Sequence, residues 1–238
     1  MRCVAEGVYR LGRKRHNFYL VVEGGAATVI DAGGSAEFGL LRSGLGALGL
    51  TLDAVEAVAV THAHSDHIGF AALASGRSIP VKVHEHEAAF ARDRSAGSQV
   101  GMGDVPLWKP RVWLFLVEMV RAGAHRAYPV PGVETAADGD VLDLPGRPRV
   151  VATPGHTAGH ACYVLDDRGV LFSGDALVTT SFLRRHRGPH LLEDAFHADP
   201  GLARRSLARL EGLGTDLLLP GHGDPWRGPI DEAVALTR

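Results

Sequence analysis

The segment THAHSDHIG at residues 61–69 places His62, His64, Asp66 and His67 within six positions. Metal-ligating side chains this close together, directly after the apolar run AVAV, restrict the chain to folds in which a strand ends in a rigid loop that gathers ligands. The arrangement recurs along the chain. Asp31 ends TVIDAGG, His156 and His160 lie in TPGHTAGH after RVVA, Asp175 lies in FSGDAL, and His222 lies in LLLPGHGDPW. Each apolar run stops and delivers an acid or an imidazole into a Gly/Pro-rich loop, the place where sheet proteins build their sites.

The segments between these loops read as strands and helices. NFYLVVEG and AATVIDAG predict a hairpin about Gly24-Gly25. Phe38, Leu41, Leu45 and Leu48 share one helical face in AEFGLLRSGLGALG, and VEAVAVT is a short buried strand. HIGFAALAS predicts a helix with Ser65 or Asp66 as its N-cap, and IPVKVH a strand. DVLDL, PRVVATP, HACYVLDD, GVLFSGDAL and TDLLLPG are further strands, PGLARRSLARLEGLG is a helix, and a last short helix starts near Ile230. No repeat or linker divides the chain, so residues 1–238 are expected to form one domain of packed sheets with helices outside.

Residues 92–128 interrupt that rhythm. DRSAGSQVGMGDVPLWKP reads as loop and RVWLFLVEMVRAGAHR as a helix apolar on most of its faces. The segment exceeds the usual length of a connection and is expected to be a lid or binding insertion. Such a helix needs a cover. It either closes over the cleft, with Trp108, Trp113 and Phe115 as an apolar wall of the substrate pocket, or packs on a second subunit. The chain is thus expected to be a monomer or a homodimer.

Composition excludes several classes. With 25 Lys and Arg against 27 Asp and Glu, the net charge of -2 offers no field for nucleic acid. VWLFLV is far too short to span a bilayer, and the N-terminus has no apolar core of an export signal, so the protein is expected in the cytoplasm with a small-molecule partner. Cys3 and Cys162 cannot form a disulfide framework, and Cys162 in ACYVL reads as a buried strand thiol. RKR at 13–15 and RRHRG at 184–188 read as solvated loops, the alternative for the second being a rim that attracts an anionic substrate. HEHE at 84–87 lacks the two-histidine helical spacing of a metal motif and reads as a strand-to-helix junction.

Imidazoles and carboxylates without thiolates suit zinc, manganese or iron. His62, His64, Asp66, His67, His156, Asp175 and His222 are too many donors for one tetrahedral ion. Two ions sharing a carboxylate would use them all. His160 stands apart and is expected to hydrogen-bond beside the site rather than ligate.

In order and spacing, IDAGG, THAHSDH, PGHTAGH, SGDA and PGHGDPW resemble the metallo-β-lactamase-fold superfamily over nearly the whole chain. The resemblance implies an α+β four-layer αβ/βα sandwich of two mixed sheets. It places His62, His64 and His156 at one metal, Asp66, His67 and His222 at a second, Asp175 between them, and Asp31 as a buried acid that orients the histidine loop. It also implies two divalent ions, zinc first with manganese or iron as alternatives, and a bridging hydroxide, with Asp66 as catalytic proton shuttle. Departures narrow the activity. Sixteen residues follow His222, where glyoxalase II-like members carry a helical substrate domain. Neither the inserted domain of the family's nucleases nor the Gly-Arg-Thr continuation of its persulfide dioxygenases is present. The expected activity is hydrolysis of a small ester-like, lactone or thioester substrate. The alternatives are a mononuclear iron sulfur oxygenase of the same fold and a non-catalytic metal-binding protein.

Overall fold

The computed structural model describes residues 1–12, 16–93, 107–183 and 185–237. RKR at 13–15, residues 94–106, Arg184 and Arg238 lie outside the described residues. In the first sheet, β1 (Arg2–Ala5), β2 (Val8–Gly12), β3 (Asn17–Glu23), β4 (Ala26–Ile30), β5 (Val55–Ala59), β6 (Val81–His84) and β7 (Glu134–Ala136) lie side by side in chain order. Pairing is antiparallel from β1 to β4 and parallel from β4 to β7. The second sheet holds β8 (Arg149–Ala152), β9 (Ala161–Leu165) and β10 (Val170–Gly174). A two-stranded ribbon follows, β11 (Val178–Thr180) with β12 (Arg187–His190), before β13 (Leu217–Pro220) and β14 (Trp226–Arg227) complete the second sheet in the order β14-β13-β10-β9-β8.

Side-chain alternation explains the layering. Along β3, Tyr19 and Val21 face the second sheet, where they join Tyr163, Phe172, Leu217 and Leu219 in one buried cluster. Phe18 and Leu20 point the other way and pack against Phe38, Leu41 and Leu45 of α1 (Phe38–Ala47) and Phe70, Ala71 and Ala74 around α2 (Ala71–Ser75). On the outer face of the second sheet, Cys162, Val164, Leu171 and Leu218 meet Leu207, Leu210, Ile230 and Val234. A strand buried on both faces reads as a continuous apolar run rather than an alternating one, as ACYVL and DLLLP do. The four layers are therefore helix, sheet, sheet, helix, in the α+β architecture that the resemblance implies.

Three elements differ from the sequence reading. The expected helix at HIGFAALAS begins only at Ala71, with Phe70 as N-cap and no side-chain cap, while Ser65 and Asp66 lie in a turn. The backbone of this turn is engaged elsewhere: His67 O accepts from Ala32 N at 2.5 Å, Gly69 N donates to Gly33 O, and Phe70 N donates to Ala32 O. Those bonds to the DAGG loop compete with a helical pattern. DVLDL forms a single bridge, Val141 to Arg149, instead of a strand. Of RRHRG, Arg187 and Gly188 belong to β12 and are not loop, although Arg187 remains exposed.

After α3 (Ala88–Arg92), α4 (Pro110–Ala122) occupies the insertion. Its C-terminus docks tightly on the DAGG loop: a Cβ at Gly34 would meet Ala122 O at 2.1 Å, and Ser35 Oγ donates to Gly123 O at 2.8 Å. Trp113, Leu114, Val117 and Val120 of α4 stay exposed. The C-terminal helical segments are α5 (Pro200–Ser206), continued by a 3-10 turn at Leu207–Leu210, and α6 (Ile230–Ala235). Among the described residues no helix is long and apolar enough to cross a membrane.

Candidate metal centre

The loops after β4, β5, β8, β10 and β13 converge at one edge of the two sheets. Asp31 sits at the end of β4 with φ 62°, in the left-handed region that aspartate tolerates better than most residues. This turn aims its carboxylate at the next loop. Asp31 Oδ1 accepts from Thr61 N at 2.8 Å, the Thr61 hydroxyl lies 3.0 Å from both carboxylate oxygens, and Asp31 Oδ2 takes the His67 Nδ1 proton at 2.8 Å. The network dictates tautomers. The hydroxyl proton of Thr61 goes to Asp31, so His62 Nδ1, 3.1 Å away, donates to Thr61 Oγ1. His62 and His67 are thereby left with Nε2 lone pairs facing the centre.

Those lone pairs meet others. His62 Nε2 lies 3.1 Å from His64 Nδ1 and 3.2 Å from His156 Nε2, and the last two atoms are 3.0 Å apart. Zinc with nitrogen bonds of about 2.0–2.1 Å and tetrahedral angles would separate its donors by about 3.3–3.4 Å, so the triangle has the size of one face of such a site. A second group adjoins it. His222 Nε2 is 3.4 Å from Asp66 Oδ2, and His67 Nε2 is 3.8 Å from the same oxygen. Asp175 lies between the groups, with Oδ1 3.4 Å from His67 Nε2 and Oδ2 at 3.4 Å from His156 Nε2 and 3.2 Å from His222 Nε2. His62, His64 and His156 form one set that could hold an ion, and Asp66, His67 and His222 another. His67 Nε2 and Asp175 Oδ1 are buried without a hydrogen-bond partner. Such atoms are costly unless a cation takes them up, so the donor set fits the two divalent ions that the resemblance implies.

Protonation follows burial and charge. Burial pushes the His62 and His156 imidazoles well below their usual range, which keeps them neutral. At His67 burial acts in the same direction, but the Asp175, Asp31 and Asp66 carboxylates outweigh it and raise the imidazole to about 10, so without a cation its Nε2 also carries a proton, and the lone pair that faces the centre is exposed when a bound cation displaces that proton. His222 is raised too, against its burial, by Asp175 and Asp66. Burial would raise the Asp175 carboxyl, yet the surrounding imidazoles, His222 foremost, hold it well below the carboxylate range.

His160 stands beside the donors. Its Nδ1 lies 2.8 Å from Thr153 Oγ1, and its Nε2 accepts the Asp175 backbone N–H at 3.0 Å. Both ring nitrogens are thus engaged away from the donor set, and burial lowers the ring to about 3. Two glycines make room for this packing: a Cβ at Gly221 would meet Asp175 Oδ1 at 2.5 Å, and one at Gly174, where φ is 49°, would meet His160 Nε2 at 2.7 Å.

The three aromatic residues of the insertion separate. Phe115 stacks on Phe182 at 4.0 Å and comes within 6.2 Å of the His222 ring, while Phe182 lies 4.9 Å from it. Trp108 is 83% exposed and Trp113 54% exposed, and the Trp113 indole donates to Leu107 O. Among the described residues neither tryptophan has a ring contact with the centre.

Sequence reasoning missed several supports. Glu87, read only as part of a junction, is fully buried. Its Oε1 accepts the Ala63 N–H at 2.8 Å, and its Oε2 accepts the Thr157 hydroxyl at 2.8 Å and the Gly159 N–H at 3.0 Å. It thereby ties the loop of His62 and His64 to the loop of His156. Asn17 does the same for His222, its Nδ2 donating to Pro220 O and Gly223 O at 2.8 Å each. The Tyr19 hydroxyl adds a bond to Pro220 O at 2.7 Å. Apart from the Thr157 hydroxyl their loop partners are backbone groups, which leave no residue-specific spacing to read.

The sequence profile of the metallo-β-lactamase superfamily matches residues 11–222. The probable metallo-hydrolase YflN of Bacillus subtilis (strain 168) is 29% identical over 187 residues, covering 73% of this chain and 66% of that protein. An atrochrysone carboxyl ACP thioesterase of Aspergillus fumigatus is 28% identical over 116 residues, covering 48% of this chain and 33% of that one. The chain thus matches about a third to two thirds of the length of these relatives. A crystal structure of a metallo-β-lactamase family protein from Thermus thermophilus superposes with a TM-score of 0.70 at 28% identity, covering 98% of this chain and 80% of that one.

Proposed function

Because the chain belongs to the metallo-β-lactamase superfamily, we propose that it is a metal-dependent hydrolase of a small ester-like, lactone or thioester substrate, working with two divalent ions. In this reading His62, His64 and His156 hold one ion, Asp66, His67 and His222 the other, and Asp175 both. Nitrogen and carboxylate donors without thiolate favour zinc, with manganese or iron as alternatives. The observation that carries the reading is Asp175, whose carboxylate lies 3.4 Å from His156 of one donor set and 3.2–3.4 Å from His222 and His67 of the other. The thioesterase named among the relatives supports the thioester option.

When bound, such a pair of ions makes hydroxide available near neutral pH and polarises the attacked group. The chain's own residues contribute the rest. Asp31, through Thr61 and His67, holds the imidazole tautomers that expose lone pairs. Glu87 and His160 hold the backbone of the loops bearing His62, His156 and Asp175. Asp66 is the proposed proton acceptor for the attacking water. Phe115 and Phe182 supply an apolar wall beside His222 that shields the site from solvent and receives the carbon chain of the substrate. Trp108 and Trp113 have no part in this wall.

Elemental analysis followed by a substrate screen tests the reading. Close to two zinc, manganese or iron ions per chain, with hydrolysis of an ester, lactone or thioester that chelation abolishes, is the expected result. One iron per chain with oxygen consumption on a thiol substrate would replace it with the oxygenase.

A further inference from the structure

On the outer side of the His222 loop lies a groove of about 920 Å³ whose charge the hydrolase reading does not use. It is lined by Arg10, Arg111, Arg185, His186 and Arg187, with Asp224 as its one carboxylate among the described residues. Four guanidiniums against one carboxylate is a marked local excess on a chain whose net charge is -2. Asp224 is already engaged with Arg10, Oδ1 to Nη1 at 2.7 Å. Among the described residues no carboxylate lies within ion-pair distance of Arg185 or Arg187. Among the described residues Arg111 is held by a long bond from Nη2 to Ser181 O at 3.4 Å, and its buried Nε has no hydrogen-bond partner. Uncompensated cations converging on one concavity repel each other unless an anion joins them.

The groove is built onto the candidate centre. Gly223, which follows His222, lines it. Thr179, also in its wall, donates its backbone N–H to His222 O at 3.0 Å and its hydroxyl to Asp224 O at 2.6 Å. Arg10 donates from Nε to Asn17 Oδ1 at 2.8 Å, the residue that holds the His222 loop. Arg111 and Phe115 are one turn apart on α4, so groove and apolar wall share a helix face.

We propose that this groove binds the phosphate-bearing tail of a small-molecule substrate whose acyl end lies at the donor cluster. The placement of the acyl end rests on the hydrolase reading; the anion site does not. The Arg185 and Arg187 guanidiniums, without an ion-pair partner among the described residues, beside Arg111 and Arg10, match a group with more than one negative charge and three or more acceptor oxygens, which favours phosphate over a single carboxylate. The volume is that of a site for a nucleotide-sized molecule. A thioester with an apolar acyl group and a phosphorylated nucleotide tail has the required sequence of parts.

The test is calorimetric titration of the metal-loaded protein and of an Arg185→Ala/Arg187→Ala variant, both residues being exposed and outside the donor set. The probes are desulfo-coenzyme A, adenosine and inorganic phosphate. Desulfo-coenzyme A should bind, more weakly as salt rises, and the variant should lose about ten-fold or more in affinity for it at unchanged melting temperature and metal content. Adenosine should not bind. Failure of desulfo-coenzyme A to bind, or equal binding by the variant, overturns the proposal. Inorganic phosphate binding as tightly as desulfo-coenzyme A would reduce the groove to a free-anion site and overturn the tail. A phosphopantetheinylated carrier protein that binds through these arginines when desulfo-coenzyme A does not would overturn the small-molecule assignment. No turnover is needed. Binding without hydrolysis of any acyl thioester would leave the groove standing and refute the thioesterase option, whereas hydrolysis of thioesters without a phosphate tail, in a protein blind to desulfo-coenzyme A, would do the reverse.

Discussion

The Glu87 carboxylate accepts the Ala63 amide hydrogen at 2.8 Å, and Ala63 is the residue between His62 and His64. One buried acid from the end of β6 therefore sets the spacing of two donors on a different loop. Glu87→Ala would leave the Ala63 N–H, the Thr157 hydroxyl and the Gly159 N–H without their acceptor, at about 1–3 kcal/mol for each buried group that finds no other. The expected result is a large loss of unfolding free energy in denaturant and about 10–100-fold weaker metal binding in a chelator competition. Glu87→Gln keeps one acceptor oxygen and should fall between. Wild-type metal affinity in Glu87→Ala would remove this residue from the support of the centre.

Asp31→Asn should separate fold from metal binding. Asparagine tolerates the left-handed backbone at this position, so the turn persists. With its carbonyl oxygen kept on the Thr61 N–H, its NH2 faces and donates to His67 Nδ1, which moves the His67 proton to Nε2, the atom facing Asp66 and Asp175. The variant should melt close to wild type yet bind about 10–100-fold less tightly at the set containing His67. Retention of full affinity would show that the tautomer is not held by Asp31.

Asp175→Ala removes the one carboxylate that faces both donor sets. Elemental analysis should find at least one ion fewer per chain than in wild type, because each set loses a donor and the like-charged sites lose the anion between them. An unchanged metal content would sink the shared-carboxylate arrangement.

Phe115→Ala and Trp113→Ala, two residues apart on α4, should behave differently. Phe115 stacks at 4.0 Å on Phe182 beside His222, whereas Trp113 is 54% exposed. Steady-state kinetics on a long-chain and a short-chain ester should show Phe115→Ala losing about 10–100-fold in kcat/KM on the long one, the worth of about 1–3 kcal/mol of apolar contact. Trp113→Ala should leave both rates near wild type. Equal losses in the two variants would mean that the wall extends to the tryptophan face.

The two thiols should differ in reactivity. Cys162 is fully buried in β9, and burial pushes its thiol up to about 12, while Cys3 is exposed. Thiolate is the reactive form. Mass spectrometry after iodoacetamide treatment should find Cys3 alkylated and Cys162 untouched until denaturant is added. Alkylation of native Cys162 would indicate opening of the second sheet.

The donors themselves were legible in the chain, because imidazoles and carboxylates in short motifs at strand ends are chemically distinctive and close in sequence. So were most strands, whose apolar runs are long enough to be buried on both faces. What the sequence could not show is where backbone hydrogen bonds would be spent. The DAGG loop took the amides that a longer α2 would have needed, so Ser65 and Asp66 lie in a turn instead of capping a helix. Glu87 and Asn17 hold the loops mostly through backbone groups that any residue supplies, the Thr157 hydroxyl being the exception, so no pattern marks them. On α4, Trp113 and Phe115 are equally apolar, but a step of two residues in a helix turns them to nearly opposite sides. Which side faces His222 was decided by the docking of the Ala122–Gly123 end against Gly34 and Ser35, a contact across 88 residues that exists only once the sheets have packed.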